Sequence, residues 1–158
     1  ASGSAFSCIV ATAGSMGHPF LCHRPCLFFA RGRCSRKSAC SFCHFGHSGR
    51  VAHADKRGRR LLETMGKEEL LASALPVLRR QAEAGQFASE AEPLFSILQE
   101  RVTEDAVLHA DVLPKPLSSL PFRVLLGHVR QCLNTHQALK ANDALRVLRM
   151  HLGVRESD

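Results

Sequence analysis

Residues 26–44 read CLFFARGRCSRKSACSFCH, and four chelating side chains in this stretch decide how the N-terminal part of the chain folds. Their spacing is Cys26-x7-Cys34-x5-Cys40-x3-His44. Three thiolates and one imidazole suit tetrahedral Zn²⁺. The residues between them are rich in Ser and Arg, with Gly32, and cannot bury a core of their own. A metal would therefore have to supply the folding free energy. The expectation is a small zinc-stabilised finger over residues 20–47 with little regular structure. Four protein ligands close the coordination shell, whereas a catalytic zinc keeps one position open for water or substrate.

Cys22, Cys43 and His47 leave a second assignment open. Cys22-x3-Cys26 paired with Cys40-x2-Cys43 would form a four-thiolate knuckle that omits Cys34 and His44. If Cys26, Cys34, Cys40 and His44 are the ligands, Cys43 and His47 are expected to pack or to stay exposed. Cys8 and Cys132 read as buried small hydrophobes or free thiols. Six of the seven cysteines fall between Cys8 and Cys43. Histidines interleaved among them favour metal over disulfides, and with metal a reducing, intracellular setting.

Beyond the ligands, Phe29 stands three residues after the first Cys and Gly32 two before the second. Phe42 lies between the third Cys and the His, and Gly46 follows two residues later. With these residues the stretch resembles the CCCH-type zinc-finger family, with tristetraprolin-like spacing. The fuller string, Cys22-His23-Arg24-Pro25-Cys26 together with Cys40-Ser41-Phe42-Cys43-His44 and the following Asp55-Lys56-Arg57, is similar in style to dinoflagellate and other alveolate CCCH proteins. The resemblance covers about residues 20–62. It implies that the finger binds single-stranded RNA, with exposed aromatics stacking on bases and basic side chains meeting phosphate. Phe29 and Phe42 would then be the stacking residues, with Phe28, Phe45 and Arg36 nearby. Arg31, Arg33, Lys37 and Arg50 would meet the backbone. The plainer alternative makes Phe28, Phe29, Phe42 and Phe45 the finger's own small core. The chain departs from the family at Arg36, two residues after the second Cys, where a second stacking aromatic is common.

Charge is distributed unevenly. Residues 1–23 carry no Lys, Arg, Asp or Glu, while residues 24–60 carry ten Lys/Arg against Asp55 alone. The resulting local charge of +9 favours a polyanionic partner such as RNA. Residues 61–158 hold eleven bases and thirteen acids, close to balance. No apolar run approaches the ~18 residues of a membrane span, so a soluble chain is expected.

The 158 residues divide in the reading as an irregular arm (1–19), the finger (20–47), a basic connector (48–60) and a helical domain (61–158). The periodicity of the last part predicts about four helices. The first, over 67–84, carries Leu70, Leu71, Ala74, Leu75 and Leu78 on one side, and Pro76 is expected to kink or split it. The second opens on Ser89-x-x-Glu92, a capping-box pattern, and carries Leu94, Phe95, Leu98 and Val102. It continues or restarts near Thr103. A loop follows over 113–117, and Ser119 caps a third helix with Phe122, Leu125, Leu126, Val129 and Leu133 in register. The fourth spans about 136–152, with Ala141, Leu145, Leu148 and Leu152 inward and Gly153 as its stop. The pattern is that of a small bundle.

An enzyme is not expected. The zinc-deaminase pattern H-x-E followed by P-C-x-x-C is absent, because no Glu precedes Glu63. His109, His128, His136 and His151 are scattered and pair with no nucleophile. Two functional classes remain. One is an RNA-binding zinc-finger protein whose helices, with the N-terminal arm, dock protein partners. The other is a non-enzymatic structural subunit of a larger assembly in which the finger is a protein-docking module. The first fits the nucleus or cytoplasm. The second fits an organelle, given that the sequence starts at Ala1 rather than Met, as after removal of a targeting peptide.

Overall fold

A computed structural model describes residues 11–47 and 53–155. Arg50 and Cys8 lie outside the described residues. The chain forms two compact units, one of Ala1–Val51 with Leu152–Asp158 and one of Ala52–His151.

The second unit is helical. Helix α2 (Lys56–Thr64) starts within the stretch read as a basic connector. Its start is set by Asp55, whose carboxylate accepts the Gly58 N–H at 2.6 Å, satisfying a donor that the first turn otherwise leaves orphaned. Helix α3 (Lys67–Ala84) buries Leu70, Leu71, Ala74, Leu75 and Leu78 as the periodicity requires. It runs through Pro76 without interruption. Pro76 is exposed, so its ring displaces no packed neighbour. The buried Leu75, Val77 and Leu78 around it hold the turn.

Helix α4 (Ala88–Gln99) begins one residue before Ser89, and no side chain caps it. Glu92 instead holds the Arg79 guanidinium at 2.6 and 3.2 Å. The entry point is decided by Phe87, which is fully buried at the N-cap position. An aromatic's burial is worth about 1.5–3 kcal/mol, more than the ~1 kcal/mol of a cap. Helix α5 (Glu104–His109) is a separate element capped by Thr103, whose hydroxyl accepts the Ala106 N–H at 3.2 Å. The loop expected over 113–117 contains a short helix, α6 (Lys115–Ser118), and Ser119 ends α6 instead of starting the next helix. Helix α7 (Phe122–Arg130) opens behind Pro121 and buries Phe122, Leu125, Leu126 and Val129.

Helix α8 (Thr135–Leu152) buries Ala141, Leu145, Leu148 and Leu152. It is started by Asn134, whose side-chain oxygen accepts the Gln137 N–H at 2.8 Å while the Gln137 side chain accepts the Asn134 N–H at 3.4 Å. It stops at Gly153, which sits at φ +58°, a left-handed conformation that side chains resist.

Helix α3 is the hub: α4, α5 and α7 pack against it, and α2 packs against α6. The edge of Phe87 meets Phe122 with centroids 5.2 Å apart, and Phe95 lies 6.4 Å from the same ring. The unit is thus an all-α bundle. Helices α3, α4, α7 and α8 match the four periodic stretches; α2, as long as α7, and the short α5 and α6 are additional. Among the described residues there is no strand, and no helix is long and apolar enough to cross a membrane.

The first unit contains almost no regular structure. Its described residues form one helical turn, α1 (Leu27–Ala30), two 3-10 turns, and isolated bridges between Pro25 and Cys43 and between His18 and Val154. Residues 11–19, read as part of a loose arm, pack within this unit: Thr12, Ser15 and His18 are buried.

Candidate metal centre

Cys26 sits at the N-cap of α1, where its sulfur accepts the Phe29 N–H at 3.3 Å. The chain then turns back through Gly32 to Cys34. A 3-10 turn over Lys37–Ala39 brings in Cys40, whose sulfur accepts the Phe42 N–H at 3.5 Å. A backbone rung, Cys26 N–H to the Cys43 carbonyl at 2.8 Å and Cys43 N–H to the Arg24 carbonyl at 3.0 Å, ties the two ends together. His44 follows directly. The result is that one donor atom from each of Cys26, Cys34, Cys40 and His44 lies within 4.8 Å of the others.

Two observations test whether a metal fits here. The Cys26 and Cys40 sulfurs are 3.8 Å apart, which matches the ~3.8 Å edge of a tetrahedron with ~2.3 Å metal–sulfur bonds. His44 is 4% exposed, and neither of its buried ring nitrogens has a hydrogen-bond partner. A buried imidazole without a partner is costly, and a metal would satisfy one nitrogen. The ring is also fixed from the side: Phe29 stacks on it at 4.0 Å with planes 11° apart. The Arg36 backbone amide lowers the Cys34 thiol from its ordinary value, whereas burial raises that of Cys40.

A second group was not anticipated. His18, Cys22, Cys43 and His47 also place one donor each within 4.8 Å of one another. Cys43 and His47, expected to pack or to stay exposed, are buried and half-buried respectively, and their donor atoms face those of His18 and Cys22. Hydrogen bonding from Cys22 is the main influence that lowers the Cys43 thiol to about 4, against opposing burial. The four-thiolate knuckle is not formed, since Cys22 and Cys43 belong to one group while Cys26 and Cys40 belong to the other. The signal in the sequence was the repeated spacing of four, His18-x3-Cys22 and Cys43-x3-His47. It was hidden because Cys43 and His47 interleave with Cys40 and His44.

Residues 12–15 brace both groups. Thr12 donates to the Phe42 carbonyl at 2.7 Å, Gly14 N–H donates to the Cys40 carbonyl at 3.0 Å, and Ser15 accepts the His44 N–H at 3.2 Å. Gly14 is there because nothing larger fits: a Cβ at this position would run into the backbone of Ser41 and Phe42. Backbone on the opposing side cannot swing away as a side chain can. Gly14→Ala is therefore expected to cost on the order of 1–3 kcal/mol or more and to loosen the metal centre. Transfer of metal to a chromophoric chelator should be faster than in the parent protein. An unchanged rate would show that this contact does not brace the site.

The residues expected to meet RNA are placed as follows. Phe42 is exposed, but Phe29 has one face covered by His44. Its neighbour Phe28 is the open one, 65% exposed. Phe28 and Phe42 line a surface concavity of about 370 Å³ together with Cys26, Arg33, Cys34, Ser35, Arg36 and Cys40. Arg31 and Lys37 are exposed but do not line it. Phe45 is half-buried, with its ring 5.1 Å from that of His18. No protein-family model, no curated protein and no solved structure matches this chain.

Proposed function

We propose that Cys26, Cys34, Cys40 and His44 hold a structural Zn²⁺, and that the surface above it binds single-stranded RNA. The observation that carries the reading is the concavity between Phe28 and Phe42. Two exposed aromatics line a space large enough for a base, and Arg33 and Arg36 line it with them. Aromatic faces stack on any unpaired base, and guanidinium groups serve both as stacking planes and as phosphate contacts. The +9 charge of residues 24–60 supplies the long-range attraction. Arg36 takes the place of the family's second aromatic, while Phe28 supplies the ring from a different position. The metal's part is structural: with four protein ligands it offers no open position for catalysis. The helical unit would dock a protein partner.

Fluorescence anisotropy with a mixed-sequence single-stranded RNA pool tests this. Binding should weaken steeply with salt, by ~0.7 log unit in affinity per log unit of salt for each phosphate neutralised. Phe42→Ala and Phe28→Ala should each cost about 1–3 kcal/mol of binding without loss of metal. Arg36→Gln should flatten the salt dependence. Absence of any salt-dependent binding would sink the RNA reading.

One observation favours the second class, a docking module in a protein assembly. Leu27 and Phe28 are neighbouring apolar side chains on α1, 70% and 65% exposed. An exposed apolar pair of this kind also suits a protein surface. On that reading Leu27→Asp abolishes partner capture and leaves RNA affinity unchanged.

A further inference from the structure

We infer that His18, Cys22, Cys43 and His47 form a second, separate Zn²⁺ site, so that the N-terminal unit is a two-metal module. All four donors lie within 4.8 Å of one another. Two cross-pairs have the separations a shared ion imposes. The Cys22 sulfur is 3.7 Å from His47 Nε2, and the Cys43 sulfur is 3.5 Å from His18 Nδ1. For metal–sulfur bonds of ~2.3 Å and metal–nitrogen bonds of ~2.0–2.1 Å, a tetrahedral angle gives sulfur–nitrogen edges of ~3.6 Å. A direct thiol–imidazole hydrogen bond could explain one such pair, but it leaves two pairs converging on one point without a reason. His18, Cys22 and Cys43 are each 1–2% exposed. The rings of His18 and His47 meet edge to face at 5.0 Å, and each brings a ring nitrogen to a thiol, His47 Nε2 to Cys22 and His18 Nδ1 to Cys43.

Two thiolates and two imidazoles form a closed shell whose charge balances that of Zn²⁺, the donor set of a structural site. The two sites share no ligand. They are nonetheless bound together in the chain, because the consecutive residues Cys43 and His44 serve different ions, and the pairs Cys40/His44 and Cys43/His47 interleave.

The second ion has a task the first cannot perform. The CCCH set lies wholly within residues 26–44, whereas His18 and Cys22 precede it. The backbone around His18 is in turn joined to the end of the chain: Gly17 N–H donates to the Gly153 carbonyl at 2.6 Å, and Arg155 N–H donates to the His18 carbonyl at 3.2 Å. A metal at this site fixes residues 18–22 on residues 43–47, and through them the returning segment.

The test is metal content and coordination of the full chain, purified under reducing conditions. Elemental analysis should give two zinc ions per chain. X-ray absorption should give an average of about 2.5 sulfurs and 1.5 nitrogens per zinc, the mean of a Cys3His and a Cys2His2 shell. One zinc per chain with three sulfurs would overturn the proposal, as would a Cys22–Cys43 disulfide in the purified protein. His47→Ala, at the most exposed of the four ligands, should halve the zinc content and raise the average towards three sulfurs. Retention of two zinc ions by that variant would also overturn it. If the variant loses both ions through misfolding, the spectrum of the unsubstituted chain still decides. Neither readout depends on RNA, so the fate of this proposal is separate from that of the RNA surface.

Discussion

Stripping the metal from the full chain with a strong chelator is expected to open residues 24–37 to trypsin while most of the far-UV helical signal survives. This stretch offers Arg31, Arg33, Arg36 and Lys37 as cleavage sites, Arg24 being shielded by the following Pro25. What holds it is four convergent side chains, one four-residue helical turn and a few backbone hydrogen bonds. An isolated turn of that length has no stability of its own. Structural zinc in small modules contributes an apparent ~10–16 kcal/mol, more than any other single interaction in the unit. Helices α2–α8 carry the bulk of the helical signal, and their core of Phe87, Phe95, Phe122 and many leucines needs no metal. Acid should act in the same direction as the chelator, because protons compete with metal for the thiolates and for His44. Zinc added back at neutral pH should restore protection. If residues 24–37 stay protected in the metal-free chain, the metal is not what folds the finger.

Phe95→Ala is expected to be the most damaging single change in the helical unit. Phe95 is fully buried on α4, sets its ring against Phe122, and carries the Arg79 guanidinium 4.8 Å above its centroid. Truncating a buried Phe costs about 3–5 kcal/mol, against a total stability on the order of 5–15 kcal/mol for a domain. The urea midpoint, followed by circular dichroism, should fall sharply with little change in slope. Arg79→Met should cost far less. It removes a cation–π contact of about 0.5–1 kcal/mol at a partly exposed site and a surface pair with Glu92 worth about 0–1 kcal/mol. A midpoint for Phe95→Ala no lower than that for Arg79→Met would mean the core is not centred on this ring.

Where the reading of the chain and the folded structure differ, one kind of error recurs. Ser89-x-x-Glu92 has the letters of a capping box, yet the helix starts at Ala88 because Phe87 is drawn into the core and Glu92 finds Arg79. Ser119 looks like a cap before Pro121, yet it closes α6. Pro76 looks like a break, yet buried neighbours carry α3 past it. At Phe87 and around Pro76 a local signal of about 1–3 kcal/mol is overridden by the burial of neighbouring side chains. Asn134 and Gln137 go the other way. They form a working reciprocal cap that the letters Asn-x-x-Gln could have announced.

The ligand spacing and the leucine stripes are local properties, and the chain alone determined them. Cys26, Cys34, Cys40 and His44 converge because fewer than twenty residues separate them and no other use for three thiols and an imidazole fits so short a segment. The inward faces of α3, α7 and α8 follow from a helix repeat that any folded context must respect. Tertiary structure alone decided two things. It chose Phe28 over Phe29 as the open ring, because successive helical residues point about 100° apart and only one of them can cover His44. It also joined His18 and Cys22 to Cys43 and His47 across 25 residues. Each half of that second group is an ordinary i, i+4 pair. The docking of residues 12–15 onto residues 40–44, through a glycine that leaves no room for a side chain, brings the halves together.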